Sequence, residues 1–433
     1  MKPADRFAVY HERISKLDRD LHCFLHLRMD DAKREADAAE ARARQGRRLS
    51  AIDGWCIGVK ANIAVAGLPH HAGIAAYRDF IASDDATVVR RLKDAGAVIL
   101  GVVNMHEGAL GATTDNSVFG RTFNPWGNGL TPGGSSGGSG AAVAAGLCDV
   151  ALGSDTMGSV RIPSAYCGVQ GMKPSPGLVP SDGVLPLSPS LDHVGVHARS
   201  SRDLMKTLEV MTGRPVFESP LQIEDLRFGA WDGHGQIARD PDVAHAFGEV
   251  VGHLTASAAD VRRVEPPVYV PGVTRRAGLL VAEVEAHAVH AARLRDDPEG
   301  FSEAFRKLLM WGAEQPPERV ERARKHIAEV EESAHKAFEG LDAIIAPTAP
   351  QPAFPFTAPV PENQADFTAW ANIAGLPAVA VFSGLSASGL PVSVQLIGRR
   401  DDDGRLLRMA AAVEALLGQP PLPPGFEGVL PGN

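Results

Sequence analysis

Lys60, Ser135 and Ser159 are the side chains of this sequence whose types and settings suit covalent chemistry. Lys60 stands in IGVKANIAV, Ser135 in TPGGSSGGSG and Ser159 in GSDTMGSVRIPS; Ser135 follows Lys60 by 75 residues, and Ser159 follows Ser135 by 24. A serine hydroxyl is a weak nucleophile near neutral pH until a base takes its proton. A neutral lysine amine is such a base, and a second serine can relay the proton. The small residues around both serines let backbone N–H groups approach a reacting carbonyl. Together these are the parts of an acyl-transfer site.

Such parts need rigid carriers. CIGVKANIAV reads as a strand running into a turn at Gly67-Leu68-Pro69. AVILGVVN reads as a buried strand, AAVAAGL as a small-residue helix after the glycine loop, and DVALGSD as a strand entering the second serine loop. Ala86 to Ala95 is amphipathic through Val88, Val89 and Leu92. Strands alternating with helices predict an α/β fold, a sheet with helices on both faces. Upstream, residues 4–48 read as helical, with Phe7, Tyr10, Ile14 and Leu17 at helical spacing and a solvated, mixed-charge face from Asp30 to Arg48. Downstream, LDAIIAPTAP, LPAVAVFSGL and LPVSVQLIG are strand-like, residues 404–417 form an amphipathic helix, and the tail QPPLPPGFEGVLPGN reads as extended. Helical stretches at 281–295 and 318–337, punctuated by Pro266, Pro267, Pro316 and Pro317, predict a pocket-shaping insertion. The expected organisation is a single domain over 1–433, with an N-terminal helical segment at about 1–50 and an inserted helical cap at about 218–340.

Composition narrows the function classes. A net charge of −9 argues against a nucleic-acid partner, which usually leaves a basic footprint. Cys23, Cys56, Cys148 and Cys167 form no C-x-x-C pair and no zinc-finger spacing, so buried or free thiols in a reducing compartment are expected. The charged N-terminus lacks an apolar signal core, and no apolar run approaches the roughly 20 residues of a membrane span. A cytoplasmic enzyme without membrane attachment fits this pattern.

The run TPGGSSGGSGAAVAAG and the following loop GSDTMGSVRIPSAYCGVQGMKPS closely resemble the two core motifs of the amidase signature family. The lysine segment and the late NIAGLPAVAV and GLPVSVQLIGR segments match as well, so the resemblance spans about 50–200 and 341–415. It implies the amidase signature fold, a central twisted mixed sheet covered by helices on both faces. It also implies a serine amidohydrolase that needs no cofactor or metal. By position, Ser159 is the expected nucleophile, Ser135 the bridging serine held by a cis peptide from Gly134, and Lys60 the base and later the acid. The backbone N–H groups of Thr156, Met157, Gly158 and Ser159 are the expected oxyanion hole, with Ser136, Asp155 and Arg161 holding the loops together. A lysine base must be neutral, and its free pKa is about 10.4; burial in an apolar strand lowers it. Met157 stands where the family usually has glycine, Ser393 where glycine is common, and His70-His71 replaces a threonine-rich turn.

The same residues admit other readings. GGSSGGSG lacks the Gly-Lys-Ser/Thr of a phosphate loop. Gly133–Gly137 and Gly134–Gly138 both fit a G-x-S-x-G nucleophile elbow, with Asp192 and His193 as partners, but that arrangement leaves Lys60 and Ser159 idle. His70-His71 reads as surface turn chemistry, and Glu107 as a support for the glycine turn. The substrate is expected to be a small amide or carbamate, neutral and partly aromatic, bound near Phe119, Phe123, Trp126, Met157 and Tyr166, with Trp311, Phe354 and Phe356 as further lining. Carbamate (urethane) or urea hydrolysis uses the same machinery, as does the amide cleavage of a glutamine-dependent amidotransferase A-type subunit, which would need a companion protein. A homodimer is allowed.

Overall fold

The computed structural model of the chain describes residues 1–216 and 219–428. The nominal start of the expected cap, residue 218, and the last five residues of the expected extended tail lie outside the described residues.

Among the described residues, eleven strands form one mixed sheet. They are β1 (Phe24–Leu27), β2 (Cys56–Lys60), β3 (Val98–Val103), β6 (Val150–Asp155), β7 (Gln170–Lys173), β8 (His193–Ala198), β9 (Arg227–Ala230), β10 (Asp260–Arg263), β11 (Ala343–Pro347), β12 (Ala378–Leu385) and β13 (Pro391–Ile397). The pair β4 (Asp115–Asn116) and β5 (Gly120–Arg121) stands apart as a short hairpin. The spatial order is β1-β3-β2-β6-β8-β7-β12-β13-β11-β9-β10. The segments β3-β2-β6 and β11-β9-β10 are parallel; the middle pairs are antiparallel. Strands β2, β3 and β6 are buried along their whole length, as expected of apolar strands covered on both faces. The expected helices after β2, behind the glycine loop and at the C-terminal end form at Thr87–Asp94, Gly137–Ala144 and Asp403–Leu417.

Two stretches differ from expectation. Within 4–48, Phe24–Leu27 leaves the helical pattern and pairs antiparallel with β3, Phe24 opposite Val103. Four residues carry no period of their own; the free edge of β3 decides their conformation. The segment expected as a helical cap holds the helices Val273–Asp296, Glu303–Ala313 and Pro317–Ser333, but it also supplies β9 and β10, which extend the sheet beyond β11. The N-terminal segment is tied to the sheet through Asp149. That carboxylate pairs with Arg6, accepts Tyr10 Oη at 2.8 Å and accepts the Cys56 N–H at 2.7 Å, at the root of β2. All four cysteines are buried and free. Among the described residues no helix is long and apolar enough to cross a membrane.

Candidate active site

β2 and β6 run parallel with Val59 opposite Leu152, so their C-terminal ends open side by side. Lys60 closes β2; Ser154 and Asp155 close β6. In α/β sheets this edge is where strands hand over to loops and reactive groups collect. Lys60 is fully buried. Its Nζ lies 2.7 Å from Ser135 Oγ, 2.8 Å from Ser154 Oγ and 3.4 Å from the Ser154 carbonyl oxygen. Burial lowers its pKa from 10.5 to about 7, against the opposing pull of the Asp192 and Asp155 charges. Asn62 Nδ2 donates to Ser154 Oγ at 3.1 Å, so that hydroxyl is held from both sides.

The Gly134–Ser135 peptide bond is cis. Ser135 is fully buried, and its carbonyl accepts the His106 N–H at 3.1 Å. Ser136 joins three segments. Its Oγ donates to the Ser154 carbonyl at 3.1 Å and accepts the Ser154 N–H at 3.3 Å, while its N–H donates to the Ser159 carbonyl at 3.2 Å.

The loop from Asp155 to Ser159 is held by a buried ion pair. All five N–H groups of the Arg161 guanidinium are used: on Asp155 Oδ1 and Oδ2 (both 3.1 Å), the Thr368 carbonyl (3.0 Å), Gln395 Oε1 (2.8 Å) and Asn372 Oδ1 (2.5 Å). Burial works against the Asp155 charge, but Arg161, Lys173 and Asn372 outweigh it and hold the carboxyl well below its ordinary range. Asp155 Oδ2 also accepts the Val160 N–H at 3.1 Å, which bends the chain back after Ser159. Gly158 has φ +151°, and a Cβ there would sit 2.5 Å from Thr368 Oγ1, so this position takes only glycine without rebuilding the loop. Thr368 Oγ1 donates to the Met157 carbonyl at 2.9 Å. Among the described residues, the N–H groups of Met157, Gly158 and Ser159 donate to no protein acceptor. Replacing Asp155 by alanine is expected to lower unfolding stability by about 3–5 kcal/mol, because it strands the Arg161 charge in the interior; denaturant unfolding measures this.

Ser159 is half-buried and, with Gly134, Thr156, Met157 and Gly158, lines a cavity of about 270 Å³. Leu110, Ile162 and Leu279 supply apolar wall, and Arg275 and Glu362 bring charge. Lys60 and Ser135 are thus in hydrogen-bond contact, and Ser159 stands in the adjoining loop, tied to Ser136.

The aromatics expected around a substrate lie elsewhere. Phe119 stacks on His71 with centroids 4.1 Å apart. Trp126 Nε1 donates to the Cys167 carbonyl at 2.8 Å. Tyr166 is fully buried, its ring edge-on to Phe354 at 6.1 Å, and its Oη lies between Gln351 and Gln364. Trp311 is exposed on its helix beneath Arg319. Phe123 and Phe356 pack edge to face. None of these rings lines the cavity at Ser159; nearness in sequence to a motif does not survive the turn of a strand or helix. His71, expected at the surface, is fully buried, and Glu107 Oε1 accepts the Ser302 N–H at 2.9 Å. His193, the elbow's candidate partner, meets the Asp155 carbonyl through Nδ1 at 3.3 Å and makes no hydrogen bond to Ser135 or Ser136 among the described residues.

Sequence reasoning missed Ser154, Asn62, Thr368, Asn372 and Gln395 as parts of the site. It met Asp192 only as an elbow partner; here Asp192 Oδ1 accepts Thr156 Oγ1 at 2.6 Å and Oδ2 accepts the Leu187 N–H at 2.8 Å. The available signal was a polar residue inside an apolar run, as in NIAGLPAVAV, because a buried polar side chain must find a partner.

The amidase family profile matches residues 7–407. A curated relative, the A subunit of glutamyl-tRNA(Gln) amidotransferase from Anaeromyxobacter sp. (strain K), is 36% identical, the alignment covering 95% of this chain and 92% of that one. A crystal structure described as an amidase superposes with a TM-score of 0.89 at 31% identity, covering 96% and 97% of the two chains. The native peptide amidase of Stenotrophomonas maltophilia superposes with a TM-score of 0.85 at 28% identity, covering 98% and 95%.

Proposed function

The chain belongs to the amidase family, and on that footing we propose that it cleaves the C–N bond of a carboxamide through an acyl-enzyme on Ser159. The observation that carries this reading is the buried Lys60 amine, 2.7 Å from Ser135 Oγ, beside a cavity that ends on Ser159. With pKa near 7, the amine is substantially neutral at neutral pH and its lone pair is available. Ser159 Oγ attacks the carbonyl carbon. Its proton passes to Ser135, and the Ser135 proton passes to Lys60 Nζ. The former carbonyl oxygen, now an anion, meets the N–H groups of the 156–159 loop; one such donor typically contributes about 10²–10³ in rate. Collapse breaks the C–N bond, and the leaving nitrogen takes a proton back along the relay. Water then attacks the ester, and the acid leaves with Ser159 restored. The carbonyls of carbamates and ureas fit the same sequence of steps.

A second reading is favoured by the curated relatives, which carry the name of the A subunit of glutamyl-tRNA(Gln) amidotransferase. In that case the cleaved amide is the side chain of glutamine and the ammonia passes to a partner's substrate. Glu362 at the cavity gives an α-ammonium an opposite charge to meet, while the charge of Arg275 is already paired with Asp366, Nε to Oδ1 at 2.6 Å.

One experiment tests the proposal and separates the readings. A fluorophosphonate is expected to modify Ser159, located by peptide mass spectrometry; an unmodified Ser159 in folded protein overturns the acyl-enzyme. The isolated chain is then assayed on aliphatic amides, anilides, carbamates and ureas, and on glutamine. Turnover of simple amides by the chain alone supports the hydrolase, and glutaminase activity that requires a companion protein supports the amidotransferase.

A further inference from the structure

Met157 occupies a position that resemblance assigns to glycine, and the structure shows where its side chain goes. The helix Val273–Asp296 forms one wall of the cavity through Arg275, Leu279 and Ala282, which share a face at helical spacing. Gly278 lies on the same helix. A Cβ on Gly278 would sit 2.7 Å from Met157 Sδ, 2.9 Å from Met157 Cε and 3.2 Å from Ile373 Cδ1. Glycine is a poor helix former, so its place inside a 24-residue helix needs a packing reason. Here the missing Cβ makes the notch that receives the methionine thioether. The backbone of Met157 is fixed by Thr368 on its carbonyl, and its side chain belongs to an apolar cluster that includes Ile373 and Trp370. Met157 itself lines the cavity, so a side chain displaced from the notch has the cavity beside it.

We infer that Met157 and Gly278 form a matched pair that sets the size limit of the substrate's acyl group: with the notch open, Met157 lies back against the helix and narrows the cavity only in part. The inference rests on the proposed role of Ser159 and adds the class of substrate, one whose acyl substituent fits beside a seated methionine. Closing the notch pushes the thioether toward Ser159. Removing the thioether deepens the cavity.

The test uses two fluorophosphonates that differ only in the group on phosphorus, methyl or benzyl, and reads the ratio of their labelling rates at Ser159. Phosphorus stands in for the acyl carbon, so its substituent reports on the acyl pocket. In Gly278→Ala the benzyl-to-methyl ratio is expected to fall by about tenfold, in the range that shape mismatches in apolar pockets produce. In Met157→Ala it is expected to rise by a similar factor, and in the double variant to recover to at least the wild-type value. A ratio unchanged in Met157→Ala overturns the inference even if Gly278→Ala does not fold. So does a double variant that stays as low as Gly278→Ala. Failure of both probes to label Ser159 in the wild-type protein sinks the acyl-enzyme reading itself, and the pair with it. Labelling with unresponsive ratios sinks only the pair.

Discussion

Lys60→Met is expected to lower kcat/KM by at least about 10⁴-fold, in line with the cost of removing a proton acceptor from an acyl-transfer relay, and to abolish the pH limb of the residual rate. The reason is electrostatic. A lysine in water holds its proton well above neutrality; here burial brings the pKa from 10.5 down to about 7. The base form is scarce below pH 7 and dominant above it, so wild-type kcat/KM rises with pH through about 7. The neighbouring histidines do not account for such a limb, since burial pushes His106 down to about 4 and His193 and His197 to about 3. Asp192, pushed up to about 6 by its own burial, is the competitor whose charge acts directly on Lys60; burial also brings Lys173 down and Glu283 up to about 7. Asp192 is separable. Its charge raises the Lys60 pKa, so Asp192→Asn moves the limb to lower pH, whereas Lys60→Met removes it. A limb that survives in Lys60→Met assigns the titration to another group.

The same shift has a consequence for folding, with a definite sign. Between pH 7 and 10.5 the unfolded chain binds a proton at Lys60 that the folded chain does not, so this group's contribution is complete above pH 10.5 and is lost as pH falls toward 7. Across that window the loss is about 5 kcal/mol, at 1.36 kcal/mol per unit of pKa. Lys60→Met, which has no proton to bind in either state, is therefore expected to gain stability relative to wild type as pH is lowered from 10 to 7. Parallel denaturant titrations of the two proteins at each pH measure the difference.

Ser159→Ala is the second large effect. Loss of the nucleophile is expected to cost about 10⁴–10⁶ in kcat, as for other serine nucleophiles acting within a relay, with little change in unfolding midpoint. Ser159 is half-buried and its recorded tie to the loops is a backbone one, the Ser136 N–H on its carbonyl at 3.2 Å, which alanine keeps. Ser135→Ala differs in kind. Its hydroxyl lies 2.7 Å from Lys60 Nζ in the interior, so its loss breaks the relay and leaves the amine with Ser154 as its remaining hydrogen-bond partner. Comparable kcat losses with unequal stability losses are the expected signature of the two serines. Wild-type turnover by Ser159→Ala would remove the acyl-enzyme from consideration.

What the sequence alone determined was local. The apolar runs around Lys60 and before Ser154 could be read as buried strands because they are too long and too apolar to face water, and the Gly/Ser loops could be read as sites of close backbone approach because their residues are small. Resemblance then ordered the three side chains along the chain. Tertiary structure decided what stands beside them. The edge strand Phe24–Leu27 exists because β3 offers it partners, and β9 and β10 join the sheet because β11 does the same. Ser154 Oγ meets the Lys60 amine and is held in turn by Asn62, and Asn372, Gln395 and Thr368 complete Arg161, across separations in sequence of up to 234 residues. No spacing rule reaches that far. The expected aromatic lining failed for the same reason: which face of an element meets the cavity is settled by how the helix Val273–Asp296 docks against the Asp155–Ser159 loop, a matter of steric fit between distant segments such as Gly278 and Met157.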